Sequence, residues 1–332
     1  MKTILITGGC GYVGSRVARV LALRGNPVIV VDSATPEERG ISFPPAVEYR
    51  QHDLRIPEEA VRGLVGGEVV LHLAADIGSL TYMHEKQADI ITNNSRIDSS
   101  VYPALRANNI TSIIYSSSSG VFQHAPIFPY REVDLADIRV PTNVYFFSKL
   151  AGEYFCRSYA AQYGIDFTIV RYHNIFGPGE DSKGTTPGDI HVIPALLEKV
   201  LNGQYPLEFL GDPRATRPFT YIDDAVEATV TIIDRVAEGD ECMKNEDFNI
   251  GNDTYHSILE LGEIIWNEYG DGRSFEYVVR ETKADTSFRR EVDISKIRNT
   301  LGWEPRTKLE EGLGPTADWI RERGTGHRSL WS

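Results

Sequence analysis

Short apolar runs rich in β-branched residues alternate with longer segments of helical spacing along the first half of the chain. Short runs bounded by turn residues are typical of strands buried on both faces of a parallel sheet. Six such runs predict strands at residues 2–7, 28–31, 47–50, 69–75, 113–122 and 167–171. Apolar positions at helical spacing predict helices that include residues 12–25, 89–108 and 192–201. This alternation predicts an α/β fold with a doubly wound parallel sheet.

A glycine-rich turn joins the first predicted strand to the first predicted helix. Gly8, Gly11 and Gly14 lack the Cβ that would keep backbone N–H groups away from a pyrophosphate, and the helix offers its positive end to the same anion. Asp32 ends the second predicted strand, 18 residues after Gly14. A carboxylate there accepts hydrogen bonds from a ribose 2′-OH and repels a 2′-phosphate. The segment therefore predicts a dinucleotide site that prefers NAD to NADP.

Composition narrows the possible partners of this 332-residue chain. Its formal net charge is −13 and its pI is about 5.1, which disfavours nucleic acid and anionic membranes. No apolar run reaches the roughly 18 residues of a membrane span, so we expect a cytoplasmic protein. The three cysteines are scattered and the eight histidines lack metal-ligand spacing, so we expect neither a disulfide framework nor a metal site.

Tyr145 and Lys149 form a candidate catalytic pair. On a helix, residues four positions apart share a face, so the phenol and the ammonium can enter one crevice. A tyrosine acting as a base near neutral pH needs its pKa lowered by roughly 3 units. A neighbouring ammonium favours the phenolate, which gives Lys149 an electrostatic role beside Tyr145.

These motifs, in this order, resemble the extended short-chain dehydrogenases that modify nucleotide sugars. The likeness spans nearly the whole chain and rests on the segments 7–14, 72–75, 116–118, 145–149 and 171–178. It implies a Rossmann NAD-binding domain over residues 1–172 with a returning segment near 218–250. A smaller α/β nucleotide-sugar domain is then formed by residues 173–217 and 251–332. The likeness also implies NAD as cofactor, a nucleotide diphosphate sugar as substrate, and a homodimer formed through helices near residues 91–107 and 146–162.

The resemblance assigns roles to individual residues. It implies a catalytic set of Ser118, Tyr145 and Lys149, with Ser117 in place of Ser118 if the serine loop is offset by one residue. The implied cofactor-binding residues are Gly8, Gly11, Tyr12, Val13, Gly14, Asp32, Ser33, Asp53, Leu54, Leu73, Ala74, Ala75, Asn94, Ser116, Tyr145, Lys149 and Tyr172. The implied substrate-binding residues are Ser79, Ser118, Ser119, Asn174, His191, Val192, Arg217, Tyr221 and Arg289.

Two of these assignments have alternatives. Asp53 follows the third predicted strand, where it could meet the adenine amino group or instead cap the following helix. Arg280 and Arg290 compete with Arg289 for the diphosphate, and a solvated surface charge is the alternative for each of the three.

The predicted reaction is 4-epimerisation. Tyr145, assisted by Ser118, takes the proton of the C4 hydroxyl while a hydride passes to NAD, and the 4-keto sugar then receives the hydride on its other face. Related 4,6-dehydratases carry acids where this chain has Ser119 and Gly120, so dehydration is disfavoured. GDP-mannose 3,5-epimerases, which this chain also resembles, need a cysteine where Gly120 stands, although His191 is a possible acid or base. The alternatives are a C4 oxidoreductase, a 3,5-epimerase-like enzyme and a catalytically idle binding protein.

Overall fold

A seven-stranded parallel sheet forms the centre of the protein in the computed structural model, which describes residues 1–78, 80–180, 191–281 and 289–324. Across the sheet the strands are β3 (Val47–Gln51), β2 (Val28–Asp32), β1 (Ile4–Thr7), β4 (Val69–His72), β5 (Ser112–Ser118), β6 (Asp166–Tyr172) and β11 (Glu246–Ile250). The strand order reverses between β1 and β4. The carboxyl ends of the strands at such a point line a ligand crevice. The predicted doubly wound fold is confirmed.

Helices cover both faces of this sheet. They are α1 (Tyr12–Leu23), α2 (Pro57–Gly63), α3 (Leu80–Glu85), α4 (Gln87–Ala107), α5 (Val144–Tyr163), α6 (Val192–Leu201), α7 (Ile222–Glu238), α8 (Ile258–Tyr269), α9 (Ser295–Leu301) and α10 (Leu309–Gly324). Ile4 and Ile6 share a buried core with α1 and α7, whereas Leu5 belongs to a second core with α2, α4 and α5. The alternation of side chains along β1 produces these two layers.

Three small two-stranded sheets lie outside the central sheet. β7 (Ile175–Phe176) pairs with β10 (Thr220–Tyr221), and β9 (Thr216–Pro218) pairs with β12 (Tyr255–Ser257). β8 (Leu207–Leu210) pairs in parallel with β13 (Tyr277–Arg280). Trp303 and Leu313, near the end of the described residues, are both buried. None of the helices in the described ranges is both long and apolar enough to cross a membrane.

The fifth predicted strand is too long. The apolar run continues to residue 122, but β5 ends at Ser118 and a 3₁₀ turn occupies Ser119–Phe122. The hydroxyl oxygen of Ser118 accepts the N–H of Gly120 at 3.1 Å, which turns the chain out of the sheet. Side-chain capping of this kind competes with the strand ladder, and an apolar run does not reveal it.

Candidate active site

The loop between β1 and α1 has the shape of a phosphate cradle. Gly8 adopts a φ of +67°, and a Cβ on it would lie 2.7 Å from the backbone nitrogen of Ala74. A Cβ on Gly14 would lie 2.7 Å from the carbonyl oxygen of Gly8. α1 begins at Tyr12 without a side-chain cap, so the first-turn N–H groups of Tyr12, Val13 and Gly14 face outward for an anion. This geometry fits the pyrophosphate of NAD.

Asp32 is held rigidly at the end of β2. Its carboxylate accepts the N–H of Cys10 and the N–H of Ala34, both at 3.0 Å, and Ser33 lies between Asp32 and Ala34. Two backbone hydrogen bonds fix the side chain beside the glycine loop, where the resemblance requires an acceptor for a ribose. The position therefore suits the predicted role in cofactor binding.

The Asp53 side chain forms an ion pair with a neighbouring arginine. The Arg55 guanidinium donates to its carboxylate at 2.7 Å, and this hydrogen bond lowers the pKa of Asp53. The alternative role as a helix cap is wrong, because α2 begins at Pro57 and its N-cap is Ile56. Leu54 is buried in the core beside it. An adenine contact by Asp53 stays a prediction.

The loop after β4 is anchored to α4 by Asn94. The Asn94 side chain accepts the N–H of Asp76 at 2.6 Å, donates to the Asp76 carbonyl at 3.1 Å, and donates to the Ser148 hydroxyl at 3.0 Å. These bonds fix the path of Leu73, Ala74 and Ala75 along the crevice. Asn94 therefore shapes the predicted cofactor site through the backbone of this loop. Ser79, predicted to bind substrate, lies outside the described residues.

Tyr145 and Lys149 lie on the first turns of α5. Asn143 starts this helix, since its side-chain oxygen accepts the N–H groups of Tyr145 at 3.0 Å and Phe146 at 3.2 Å. Both predicted catalytic side chains are buried, and the Lys149 ammonium lies 6.0 Å from the centroid of the Tyr145 ring. The ammonium donates to the carbonyl oxygen of Ser116 at 2.8 Å, which ties α5 to the end of β5.

In the protein without bound ligands, burial sets the protonation states of Tyr145 and Lys149. Loss of solvent raises the pKa of the Tyr145 phenol well above its usual value. Burial also lowers the pKa of Lys149 to about 8, and the Asp98 carboxylate partly offsets that effect. The phenol is therefore neutral at physiological pH without further positive charge, and the lysine is close to losing its proton.

The serine run separates into two faces. Alternation along β5 places Ser116 and Ser118 on one side of the sheet and Ser117 on the other. The Ser117 hydroxyl donates at 2.6 Å to the buried carboxylate of Glu153, so it is already committed within the protein. This arrangement favours Ser118 over Ser117 as the catalytic hydroxyl.

Arg217 and Arg290 lie on the predicted substrate side, where the sequence selected Arg217 with Arg289. Arg217 on β9 is partly buried, and burial together with the charge of Arg290 lowers its pKa to about 9. The Arg290 guanidinium lies 5.6 Å from the centroid of the Phe146 ring, next to Tyr145 in the chain. A partly buried cation whose charge is disfavoured by a second cation favours an anionic ligand nearby.

Arg289, the arginine chosen from the sequence, points elsewhere. Its guanidinium pairs with Glu291, including a hydrogen bond of 2.8 Å, and its side chain is about half exposed. Arg280 lies on β13 and is two-thirds exposed. In an extended segment, Arg289 and Glu291 project to one side and pair, which leaves Arg290 on the other side.

The remaining predicted substrate residues are distributed around this region. Asn174 adopts a φ of +41°, and its buried amide nitrogen has no hydrogen-bond partner within the described residues. A buried donor of this kind is available for a ligand acceptor. The side chain of Ser119 is buried in the turn after β5. His191 is the N-cap of α6, directly before Val192, and its ring pairs with Glu180.

Two predicted tyrosines make contacts within the protein. The Tyr172 hydroxyl donates to Thr229 on α7 at 2.7 Å. The Tyr221 ring packs edge to face against Phe176, with centroids 5.6 Å apart. Their side chains therefore support the walls of the site, and their predicted ligand contacts stay predictions.

Comparisons with known proteins agree with this geometry. The sequence model of the NAD-dependent epimerase/dehydratase family matches residues 4–251. The chain is 31% identical to GDP-mannose 3,5-epimerase of Arabidopsis thaliana over 329 residues, covering 96% of this chain and 82% of that protein. It is 32% identical to UDP-N-acetyl-alpha-D-glucosaminuronate decarboxylase of Bacillus cytotoxicus over 333 residues, covering 97% and 98%.

A solved structure extends the likeness to three dimensions. UDP-glucose 4-epimerase of Thermotoga maritima, crystallised with UDP-glucose, superposes with a TM-score of 0.82 at 27% identity, covering 97% of this chain and 99% of that one. These relatives are named for reactions on different nucleotide sugars, so they share a substrate class and differ in the reaction. With its glycine cradle, fixed acid and buried Tyr145/Lys149 pair, this chain belongs to the NAD-dependent epimerase/dehydratase family, and NAD is its cofactor.

Proposed function

We propose that the protein is an NAD-dependent nucleotide-sugar 4-epimerase. The observation that carries this choice is the packing beside Gly120. A Cβ on Gly120 would lie 1.9 Å from the Phe146 ring, so the ring fills the space that a side chain at residue 120 would need. The cysteine expected of a 3,5-epimerase and the acid expected of a dehydratase are both missing there, and neither would fit without displacing Phe146.

The acid and base groups that remain suit chemistry at a hydroxyl. Tyr145 accepts the proton of the C4 hydroxyl, Ser118 donates a hydrogen bond to the same oxygen, and the charge of Lys149 favours the phenolate. Bound NAD would supply the oxidation of C4, the carbon that carries this hydroxyl, and the return of the same two electrons to C4. Because burial alone keeps the Tyr145 phenol protonated, its ionisation would need added positive charge, which bound oxidised NAD would supply.

The substrate is held at its diphosphate by Asn174, Arg217 and Arg290. Planar guanidinium groups donate two hydrogen bonds at once to phosphate oxygens. Binding by the diphosphate leaves the sugar ring free to turn, and either face of C4 can then be presented. A 4-epimerase needs this freedom, since the ketone must be reduced from the opposite side.

His191 does not provide a competing acid or base for carbon chemistry in this proposal. The His191 side chain is about half exposed, and the Glu180 carboxylate raises the pKa of the imidazole. The ring is thus an ion-pair partner of Glu180 at the start of α6. The segment 182–184, which resembles the 3,5-epimerases, lies outside the described residues.

Isotope labelling tests the proposal directly. Purified protein is incubated in D₂O, without added NAD, with UDP-, GDP-, CDP- and dTDP-sugars carrying deuterium at C4, and the products are read by NMR. We expect a C4 stereoisomer that gains no deuterium at C3 or C5 and forms with no net NADH, and a parallel incubation in H₂O should show that it keeps its C4 deuterium. Deuterium entering C3 or C5 would instead show 3,5-epimerisation, and stoichiometric NADH with a keto sugar would show an oxidoreductase.

We also propose that two copies associate through α4 and α5. These helices pack against each other, and α5 presents exposed apolar side chains that include Phe147 and Tyr154, which are 42% and 65% exposed. Pairing two such faces forms a four-helix bundle and buries this surface. Light scattering is expected to give twice the chain mass of 37.1 kDa. Tyr154→Glu should shift the equilibrium to single chains, whereas Tyr277→Glu, at another exposed tyrosine on β13, should not.

A further inference from the structure

A buried polar chain runs behind the catalytic lysine. The Thr7 hydroxyl contacts the His72 Nδ1 at 2.6 Å, and the His72 Nε2 contacts an Asp98 carboxylate oxygen at 3.1 Å. All three side chains are almost fully buried. Thr7 ends β1 just before the glycine cradle, His72 ends β4, and Asp98 lies in the middle of α4. These three hydrogen-bonded side chains thus cross the centre of the sheet beneath the crevice.

A carboxylate can only accept hydrogen bonds, so the Asp98 partner sets the direction of the protons along these side chains. The N–H of Ala74 donates to the Thr7 hydroxyl oxygen at 3.3 Å, so the Thr7 proton is free to point at the His72 Nδ1. The His72 proton then resides on Nε2 and points at Asp98. A carboxylate oxygen of Asp98 accepts this hydrogen bond, which holds the side chain in place.

Asp98 faces the helix that carries Lys149. Gly152 lies one turn after Lys149 on α5, and a Cβ there would lie 1.8 Å from the Tyr115 hydroxyl and 2.9 Å from an Asp98 carboxylate oxygen. The Lys149 ammonium in turn lies 5.1 Å from the centroid of the Tyr115 ring. The missing side chain at residue 152 therefore lets the carboxylate and the tyrosine approach the catalytic helix closely.

The other titratable groups near Lys149 carry no compensating charge. Burial raises the pKa of each of three neighbours, which are therefore neutral at physiological pH: Tyr145 and Cys156 on α5, and Tyr115 on β5. Glu153, one helical turn further along α5, is bound by the Arg171 guanidinium at 2.7 and 2.8 Å. Among the described residues, Asp98 is the leading anion that acts on Lys149.

We propose that Asp98 is a positioning residue whose charge, held in place by His72, keeps the buried Lys149 side chain in its ammonium form. The proposal rests on the proposed function of Lys149 as the electrostatic partner of Tyr145. An ammonium fully removed from water loses its proton unless an anion compensates. Asp98 supplies that anion from behind the site, where it cannot touch the substrate or compete for its phosphates.

Titration of Lys149 tests this without any substrate. Protein labelled with ¹³Cε-lysine is followed by NMR between about pH 6 and pH 11, a range that includes the ordinary pKa of lysine. The Lys149→Arg variant identifies the Lys149 resonance. We expect Asp98→Asn to lower the Lys149 midpoint by about one unit, the smaller end of the effect of a close opposite charge. Asp224→Asn is the matched control, because Asp224 is an equally buried acid on α7 that accepts the N–H of Thr307 at 3.0 Å.

Two further results complete the test. In the epimerase assay, the alkaline limb of the kcat profile should move to lower pH in Asp98→Asn by the same amount, and Asp98→Glu should restore part of it. If Asp98→Asn does not fold, His72→Gln is used instead, because it weakens the hydrogen bonding that holds the Asp98 carboxylate. It should shift the Lys149 midpoint in the same direction by a smaller amount. Equal midpoints in wild type, Asp98→Asn and His72→Gln would overturn the proposal. Absence of turnover with every sugar would overturn the proposed function alone, since the NMR titration stands without it.

Discussion

Tyr145→Phe lowers kcat by about 10³-fold, within the range that a positioned acid–base group contributes. The substitution removes only the hydroxyl, and the buried ring keeps its packing against Phe146. We therefore expect NAD content and thermal stability to stay at wild-type levels. The measurement is steady-state turnover of the nucleotide sugar identified by the labelling experiment, with bound NAD determined after denaturation.

The matched control is Tyr159→Phe. Tyr159 lies further along the same helix, where its ring contacts Tyr102 at a centroid distance of 5.1 Å, away from Lys149. Its variant should keep wild-type turnover. If Tyr145→Phe retained a tenth or more of wild-type kcat, Tyr145 would not be the base. If the wild-type chain bound nucleotide sugars and converted none of them, the catalytically idle binding protein would be the correct alternative.

Glu153→Gln destabilises the fold by about 3–5 kcal/mol, the usual cost of removing one partner from a buried ion pair. The Glu153 carboxylate is 1% exposed and accepts hydrogen bonds from Ser117 at 2.6 Å and from the fully buried Arg171. An amide carries no charge and cannot satisfy these donors equally. The free energy of unfolding is measured by urea denaturation monitored by tryptophan fluorescence.

Glu241→Gln is the control for an exposed ion pair. Glu241 pairs with Lys244 at the surface, and its side chain is 80% exposed. Pairs of this kind contribute little to stability, so the denaturation midpoint should match wild type. A Glu153→Gln protein with an unchanged midpoint would show that Asp247, the second acid on Arg171, is sufficient to compensate that guanidinium.

The features that the sequence predicted well are those with a local signature. The glycine loop, the strand-ending Asp32 and the Tyr145/Lys149 spacing each depend on residues close together in the chain, so pattern and resemblance together were enough to predict the fold and the family. The end of β5 could not be found in this way, because it depends on a hydroxyl of Ser118 turning back onto Gly120.

Contacts between distant segments were beyond the sequence. The charge on Lys149 depends on Asp98, 51 positions earlier in the chain, and no spacing rule connects the two. Which of Arg289 and Arg290 lies toward Arg217 depends on which side of an extended segment faces Arg217. In the structure Arg289 pairs with Glu291, and Arg290 lies on the other side. Phe146 beside Gly120 is a third case, since an absent side chain has no pattern of its own.

The buried Arg171 has a consequence for the order in which the molecule assembles during synthesis. Its two acidic partners are Glu153 on α5 and Asp247 on β11, and Asp247 also binds Lys296 on α9 at 2.8 Å. A growing chain that has emerged only to residue 172 holds the proposed catalytic residues and the Arg171–Glu153 pair, but it lacks Asp247 and Lys296. This ion network is therefore complete only after the final sheet strand and the helix beyond it have joined.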